Sequence, residues 1–130
     1  MKVETNADGW PIYRVTILGD VNAEDAEVLV RALAEPIQRR ERYVAVVDAS
    51  VLGATTHEAR EVFSRRLKEH DADFVRFNIG TVVVVRSALV RGLMATLNVL
   101  YRWATPNRFV STLTEANRIA ASWLADDRAP

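Results

Sequence analysis

The sequence predicts an α/β fold with a single mostly parallel sheet, preceded by an N-terminal β-hairpin. The valine run 82–85 lacks the polar alternation of a half-exposed strand, which indicates a strand covered on both faces. A second apolar run, 43–47, has the same character. An amphipathic helical pattern follows each run, and strands that alternate with helices form parallel sheets through right-handed crossovers.

The first part of the chain predicts the hairpin and one helix. Residues 2–18 form the hairpin, and its turn lies at Asp8-Gly9 because both residue types tolerate positive φ. Asn22 caps the helix that follows. Pro36 lacks an amide hydrogen, so we expect it to kink or end this helix.

A second strand and helix occupy the middle of the chain. The strand covers residues 43–48. Thr55 and Glu58 match a capping box, in which the threonine caps the helix and the glutamate returns to the cap amide. The helix is predicted to run toward Asn78, with the segment 71–73 as the point where it is interrupted.

The last part of the chain predicts two more helices and a short strand. Ser87 caps a third helix whose broad apolar face spans residues 90–101, and residues 108–112 form the strand. A final helix precedes the tail 126–130, which we expect to fray. The element order is therefore β-β-α-β-α-β-α-β-α, in one domain that spans residues 1–130.

Composition excludes several classes of function. The formal net charge is +0, which argues against broad electrostatic binding to nucleic acid and leaves no self-repulsion to oppose a homodimer. There is no cysteine, so disulfides and thiolate sites are excluded. The longest apolar stretch contains Arg86, Arg91 and Arg102, which argues against a membrane span. Without a signal peptide, the expected location is the cytoplasm.

No motif in the sequence specifies a reaction, a metal or a cofactor. His57 and His70 stand 13 residues apart, and no further ligands accompany them as a zinc site would require. The scattered glycines form no phosphate-binding loop, and no serine has the setting of a hydrolase nucleophile. We therefore predict no catalytic residue and no cofactor.

Polar residues do gather where the predicted parallel strands end, which is the usual position of sites in open α/β sheets. A helix N-terminus there attracts anions, including phosphoryl groups, and a nearby arginine would pair with one. The sequence thus predicts an anion or phospho-acceptor site at Ser50, Thr55, Thr56, Arg86 and Ser87.

The exposed side of the helix that begins near Thr55 is a second candidate. We predict a surface for a protein partner there, formed by His57, Arg60, Glu61, Ser64 and Arg65.

Three stretches resemble the STAS superfamily in its SpoIIAA-like branch, which is typified by bacterial anti-sigma factor antagonists. The stretch 44–50 is similar to the family's strand ending in Asp-x-Ser, and 82–93 is similar to the next strand and helix start. The stretch 109–116, followed by Trp123-Leu124, is similar to its final strand and helix. The resemblance implies the STAS fold over about residues 13–124 and a regulatory role.

The resemblance also implies a phosphorylation site, from which this sequence departs. Family members that act as phosphoswitches carry Asp-Ser-Ser-Gly at the start of the helix, where one serine is phosphorylated. Here the corresponding segment is Ala54-Thr55-Thr56-His57-Glu58, without the aspartate, the serines or the glycine. Thr55 and Thr56 are the residues that remain as phosphate acceptors.

These observations leave three hypotheses open. The first is a non-enzymatic STAS-like regulatory or protein-interaction domain, gated near Thr55 and expected to be a homodimer. The alternative is a small-molecule or lipid-binding module of Sec14-like type, in which the apolar face 90–101 lines a pocket for an apolar ligand. The third is an enzyme that uses Asp48, His57 and Arg86 for proton transfer.

Overall fold

The structure, a computed structural model, describes residues 1–88, 90 and 104–129. These residues form one sheet of five strands whose spatial order follows the chain. The strands are β1 (Lys2–Asn6), β2 (Ile12–Val21), β3 (Tyr43–Thr55), β4 (Asn78–Val84) and β5 (Asn107–Val110), and the helices are α1 (Ala23–Ala34), a 3-10 helix (Glu35–Arg39), α2 (His57–Lys68), α3 (Asp71–Phe77) and α4 (Leu113–Arg128).

The sheet is mostly parallel, as predicted. β1 pairs with β2 in the antiparallel direction, and the other three pairs are parallel. The hairpin turn also lies where the sequence placed it, since Trp10 N donates to the Ala7 carbonyl across Asp8-Gly9. No helix in the described part of the chain is long and apolar enough to cross a membrane.

Local signals fix both ends of α1. Asn22 and Asp25 form a capping box in which each side chain accepts the other residue's amide hydrogen. The helix ends at Ala34 and continues as the 3-10 helix that contains Pro36, so the predicted effect of that proline is confirmed.

Apolar side chains pack on both faces of the sheet. One core lies beneath α1 and α2, and the other lies beneath α4. Because successive residues of a strand point to opposite faces, Val82 and Val84 reach the α4 side while Val83 packs against the other core. The buried side chains of α4 are Ala116, Ile119, Ala120 and Leu124, with Trp123 partly buried.

Two tyrosines in the α1 core have different hydrogen bonding. Tyr13 donates to the Ala32 carbonyl at 3.1 Å, and Glu35 Oε2 lies 3.3 Å away. Tyr43 is fully buried, and its hydroxyl makes no hydrogen bond with any described residue. Burial raises the pKa of both phenols above the ordinary value, and the pKa of Tyr43 rises much further.

The strands at the centre are longer than the sequence predicted. β2 continues to Val21 and β3 continues to Thr55, because the two strands keep pairing beyond the end of β4. The predicted capping box is therefore wrong: Thr55 belongs to β3, and Thr56 caps α2 by accepting the Ala59 amide hydrogen at 3.0 Å.

The later helices also differ in extent. The predicted helix toward Asn78 is divided into α2 and α3, which are separated at Glu69 and His70. The third predicted helix lies outside the described residues, apart from its start, where Ser87 Oγ accepts the Val90 amide hydrogen at 3.3 Å.

The C-terminal tail is tied to the body where the sequence predicted fraying. α4 continues to Arg128. The Arg42 guanidinium donates to both carboxylate oxygens of Asp127, at 2.6–3.1 Å, and to the Arg76 carbonyl at 3.0 Å. These hydrogen bonds hold the pKa of Asp127 below its usual value.

Candidate functional site

The candidate site is built on the last part of β3, which we call the β3 extension (residues 49–55). Pairing between β3 and β4 ends at Asp48↔Val84. Beyond that point β2 is the one described strand that pairs with β3, and the last pair of the ladder is Val21↔Thr55. The extension therefore projects past the four-strand parallel core as a two-stranded ribbon that leads directly into α2.

A β-bulge opens the extension. Ile17 of β2 lies opposite both Ala49 and Ser50, because the register passes from Thr16↔Asp48 to Leu18↔Val51. Asp48 Oδ1 accepts the Ser50 amide hydrogen at 3.0 Å and the Ser50 hydroxyl at 2.6 Å. Ser50, a predicted anion-site residue, thus holds the extra residue of the bulge in place together with Asp48.

A second bulge lies at the far end of the extension. Asp20 of β2 faces both Gly53 and Ala54, and Asp20 Oδ1 accepts the Ala54 amide hydrogen at 2.8 Å. A Cβ atom on Gly53 would overlap this carboxylate oxygen, so the close approach requires glycine. Asp20 was not identified from the sequence, because its role depends on which residue it faces across the ribbon.

The N-terminus of α2 is organised by two adjacent threonines. Thr56 Oγ1 caps the helix, as described above. The carbonyl and hydroxyl oxygens of Thr55 accept hydrogen bonds from Arg60 Nη1, at 2.6 and 3.2 Å. Arg60 was predicted as part of a docking surface, and the structure shows that it also contacts the candidate phosphate acceptor.

The predicted anion-site residues fall into two groups. Ser50 and Arg86 each lie two residues beyond the paired positions Asp48 and Val84, so they share one end of the sheet with Ser87. Thr55 and Thr56 follow at the far end of the extension, after roughly 20 Å of strand at ~3.3 Å per residue. The β3 extension therefore lies between the strand end that carries Asp48 and Ser50 and the helix start that carries the two threonines and His57.

The predicted docking residues do lie together on one side of α2, which we call the α2 surface (His57, Arg60, Glu61, Ser64 and Arg65). All are exposed except Ser64, which is partly exposed. His57 Nε2 contacts Glu61 Oε1 at 2.9 Å, one helical turn away. On another side of the helix, Arg66 contacts Glu27 of α1 at 3.1 Å.

The pocket required by the lipid-binding alternative lies on residues 90–101, outside the described part of the chain except for Val90, which is 40% exposed. A groove of about 630 Å³ does lie elsewhere, between the end of α1, the 3-10 helix and α3. Its lining combines charged and polar side chains with a larger apolar surface, and the lining residues are Arg31, Ala32, Ala34, Glu35, Ile37, Gln38, Arg40, His70 and Asp73.

Comparison with known proteins gives a clear result for structure alone. No family model and no curated protein matches the sequence. An uncharacterised protein of the DUF3478 family with a SpoIIAA-like fold, from Shewanella loihica, has a TM-score of 0.65 and 11% identity, with 92% of each chain covered. The anti-sigma factor antagonist SpoIIAA in its unphosphorylated form has a TM-score of 0.61 and 11% identity, over 93% of this chain and 98% of its own. This chain has a SpoIIAA-like fold.

The fold that the sequence resemblance implied is thus confirmed. It also gives the departing segment 54–58 a definite structure: Ala54 and Thr55 end β3, Thr56 caps α2, and His57 and Glu58 occupy the first turn. The Asp-x-Ser ending that supported the resemblance is the bulge at Asp48 and Ser50.

Proposed function

We propose that this chain is a non-enzymatic regulatory domain that binds a protein partner through the α2 surface. The observation that carries the proposal is the character of α2 itself. Only Ala59 of its 12 residues is buried, although the helix is fixed at both ends by its cap and by the contact between Arg66 and Glu27. A rigid helix that presents so much polar side-chain surface is suited to recognition.

The fold supports the same proposal. SpoIIAA, which shares the fold, is an anti-sigma factor antagonist. A protein of that kind acts through another protein, and the α2 surface is formed by residues that the core does not need. The charges of Arg60, Glu61 and Arg65 would provide complementarity to a partner, which favours specificity and rapid association.

We further propose that the N-terminus of α2 gates this interaction. A phosphoryl group on Thr55 would lie beside Arg60, whose Nη1 is 3.2 Å from the threonine hydroxyl. Arg60 would then turn from the Thr55 carbonyl to the phosphate, and the charge of the α2 surface would change. On Thr56 the same group would displace the helix cap, so Thr55 is the better acceptor.

Affinity capture with charge-reversal variants tests the docking surface. Wild-type protein, the double variant Arg60→Glu/Arg65→Glu, and Arg118→Glu on the exposed side of α4 would each be used as bait in extract from the native cells. We expect wild type and the α4 control to recover the same partner, and the double variant to lose it. Far-UV circular dichroism establishes that all three remain folded.

The result that opposes the proposal is equally definite. Recovery of the bait alone by wild type, or equal recovery of one partner by the double variant, would exclude the α2 surface as the docking site. Native mass spectrometry of the protein from its own cells tests the gate, because one phosphoryl group adds ~80 Da and ~−2 of charge. We expect Thr55→Val to abolish that adduct and Thr56→Val to retain it.

A further inference from the structure

Among the described residues, no strand pairs with the outer edge of the β3 extension. From residue 50 to residue 54, the side of β3 that would face β4 has no neighbouring strand within residues 1–88 and 104–129, because the pairing with β4 ends at Asp48↔Val84. Within the described residues, only two side chains accept amide hydrogens from this segment. Asp48 accepts the hydrogen of Ser50, and Asp20 accepts the hydrogen of Ala54. The amides and carbonyls that point outward between the two bulges pair with no described strand.

This edge differs from the two outer strands of the sheet. β1 carries Lys2 and Glu4, which form an exposed ion pair at 3.1 Å, and charges on an edge oppose the addition of another strand. β5 has only four residues and includes the exposed Arg108. The segment Ser50-Val51-Leu52-Gly53-Ala54 has no charge and no proline.

The side chains of the extension also favour contact with another strand. Leu52 packs into the α1 core, whereas Val51 points to the opposite face and is 57% exposed. Gly53 and Ala54 are small and exposed, so a second backbone could approach closely. An exposed strand edge with an exposed apolar side chain is a template for strand addition.

We propose that two copies of this chain associate by antiparallel pairing of their β3 extensions across a twofold axis. A second copy is the occupant because antiparallel pairing of one edge with itself is self-complementary under twofold symmetry. The formal net charge of +0 leaves no overall repulsion between the copies. Pairing centred on Leu52 places the two Val51 side chains on the same face of the joined sheet, as diagonal neighbours.

The bulges set the strength of this association. They confine regular pairing to residues 51–53, so the strand addition contributes few hydrogen bonds and little buried area. Interfaces below ~1,200 Å² are generally weak and transient. The dimer is therefore concentration-dependent, and the measurement must span about 1 μM to about 1 mM. Its surface is distinct from the α2 surface, so it holds or fails independently of the proposed function.

Sedimentation equilibrium over that range is the test. We expect the wild-type mass to rise from 14.6 kDa toward twice that value. Val51→Lys places a charge on the edge and should keep the protein monomeric, at a position exposed enough to leave folding intact. Val75→Lys is the matched control, since Val75 of α3 is 59% exposed and lies away from the edge. It should associate as wild type does.

Cross-linking locates the contact. The chain has no cysteine, so Val51→Cys and Val75→Cys each introduce a single thiol. A bis-maleimide that spans about 8 Å, the separation of diagonal neighbours in an antiparallel pair, should link two copies through residue 51 and not through residue 75. A wild-type monomer at the highest concentration, equal association of Val51→Lys, or loss of association in Val75→Lys would each overturn the proposal.

Discussion

The two halves of β3 are held in place by different interactions. From Tyr43 to Asp48 the strand lies between β2 and β4, and every side chain but that of Asp48 is buried. From Ala49 to Thr55 it has one neighbour among the described strands, and after Ala49 each residue is partly or fully exposed. The first half depends on burial of apolar area, whereas the second depends on two aspartates that bind main-chain amides. The same strand thus serves as core and as a displayed edge.

The largest expected effect contrasts one valine from each half. Val46 is 1% exposed and Val51 is 57% exposed. Val46→Ala leaves a cavity between packed neighbours, so it should lower the free energy of unfolding by about 2–3 kcal/mol. Val51→Ala should change it by less than about 0.5 kcal/mol. Urea unfolding of both variants measures the difference, and equal losses would remove the distinction between the halves.

A double-mutant cycle tests the second bulge. Gly53→Ala forces Asp20 to withdraw and to release the Ala54 amide, so we expect a loss of about 1–2 kcal/mol. Asp20→Ala removes the same hydrogen bond by itself. In the Asp20→Ala background the glycine substitution should therefore cost much less. If Gly53→Ala costs the same in both backgrounds, the aspartate does not hold the bulge.

Two tyrosine-to-phenylalanine substitutions compare a buried hydroxyl without a hydrogen bond and one with a hydrogen bond, both in the core beside the first half of β3. Tyr43→Phe removes a buried hydroxyl that has no hydrogen bond with the described residues, so it should stabilise the protein by up to about 1 kcal/mol. Tyr13→Phe removes a hydroxyl that donates to the Ala32 carbonyl, and it should destabilise by about 1 kcal/mol. Thermal unfolding measures whether each variant gains or loses stability. A loss in both variants would contradict the absence of a hydrogen bond at the Tyr43 hydroxyl.

The smallest expected effect depends on pH and concerns the residue that precedes β3. Hydrogen bonds from Arg42 lower the pKa of Asp127 in the folded protein. The carboxylate therefore contributes stability above its unfolded pKa of ~3.9, and this is lost as pH falls through the lower folded value. At pH 7, Asp127→Asn should cost less than about 1 kcal/mol, because solvent screens a half-exposed pair.

Acid titration of the unfolding free energy measures this contribution. The slope below about pH 4 should be shallower in Asp127→Asn than in wild type, because the variant has no carboxylate to protonate. Asp126→Asn is the control, since Asp126 is exposed and forms no ion pair with the described residues. Identical slopes for wild type and Asp127→Asn would show that the bond to Arg42 does not couple to folding.

The first half of β3 was predictable from sequence because apolar patterning encodes burial directly. The runs at 43–47 and 82–85, the hairpin turn and the effect of Pro36 each arise from residues close in the chain. The extension was not predictable in the same way. Gly53 within 49–55 resembles a loop residue, and only pairing with β2, 34 residues upstream in the case of Asp20 and Ala54, makes the segment a strand.

The candidate site was predicted in part for the same reason. The sequence identified polar residues at strand ends, and Ser50 does lie at the same sheet end as Arg86. The prediction ended the strand near Asp48, and a strand that ends there would place Thr55 beside Arg86. The capping-box pattern of Thr55 and Glu58 also favoured Thr55 as the cap, whereas the pairing of Thr55 with Val21 keeps it in β3 and leaves Thr56 to cap α2. Strand length, set by tertiary pairing, determined both outcomes.

The order of the strands has a consequence for how the chain is assembled. Because β1 to β5 lie side by side in the sequence in which they are synthesised, each new strand finds its neighbour already present. The sheet can therefore grow in one direction as the chain emerges, with no strand inserted between two earlier ones. Among the described residues, the hydrogen bonds of longest range belong to α4, which bonds to Arg14 through Asn117 and to Arg42 through Asp127, 103 and 85 residues apart.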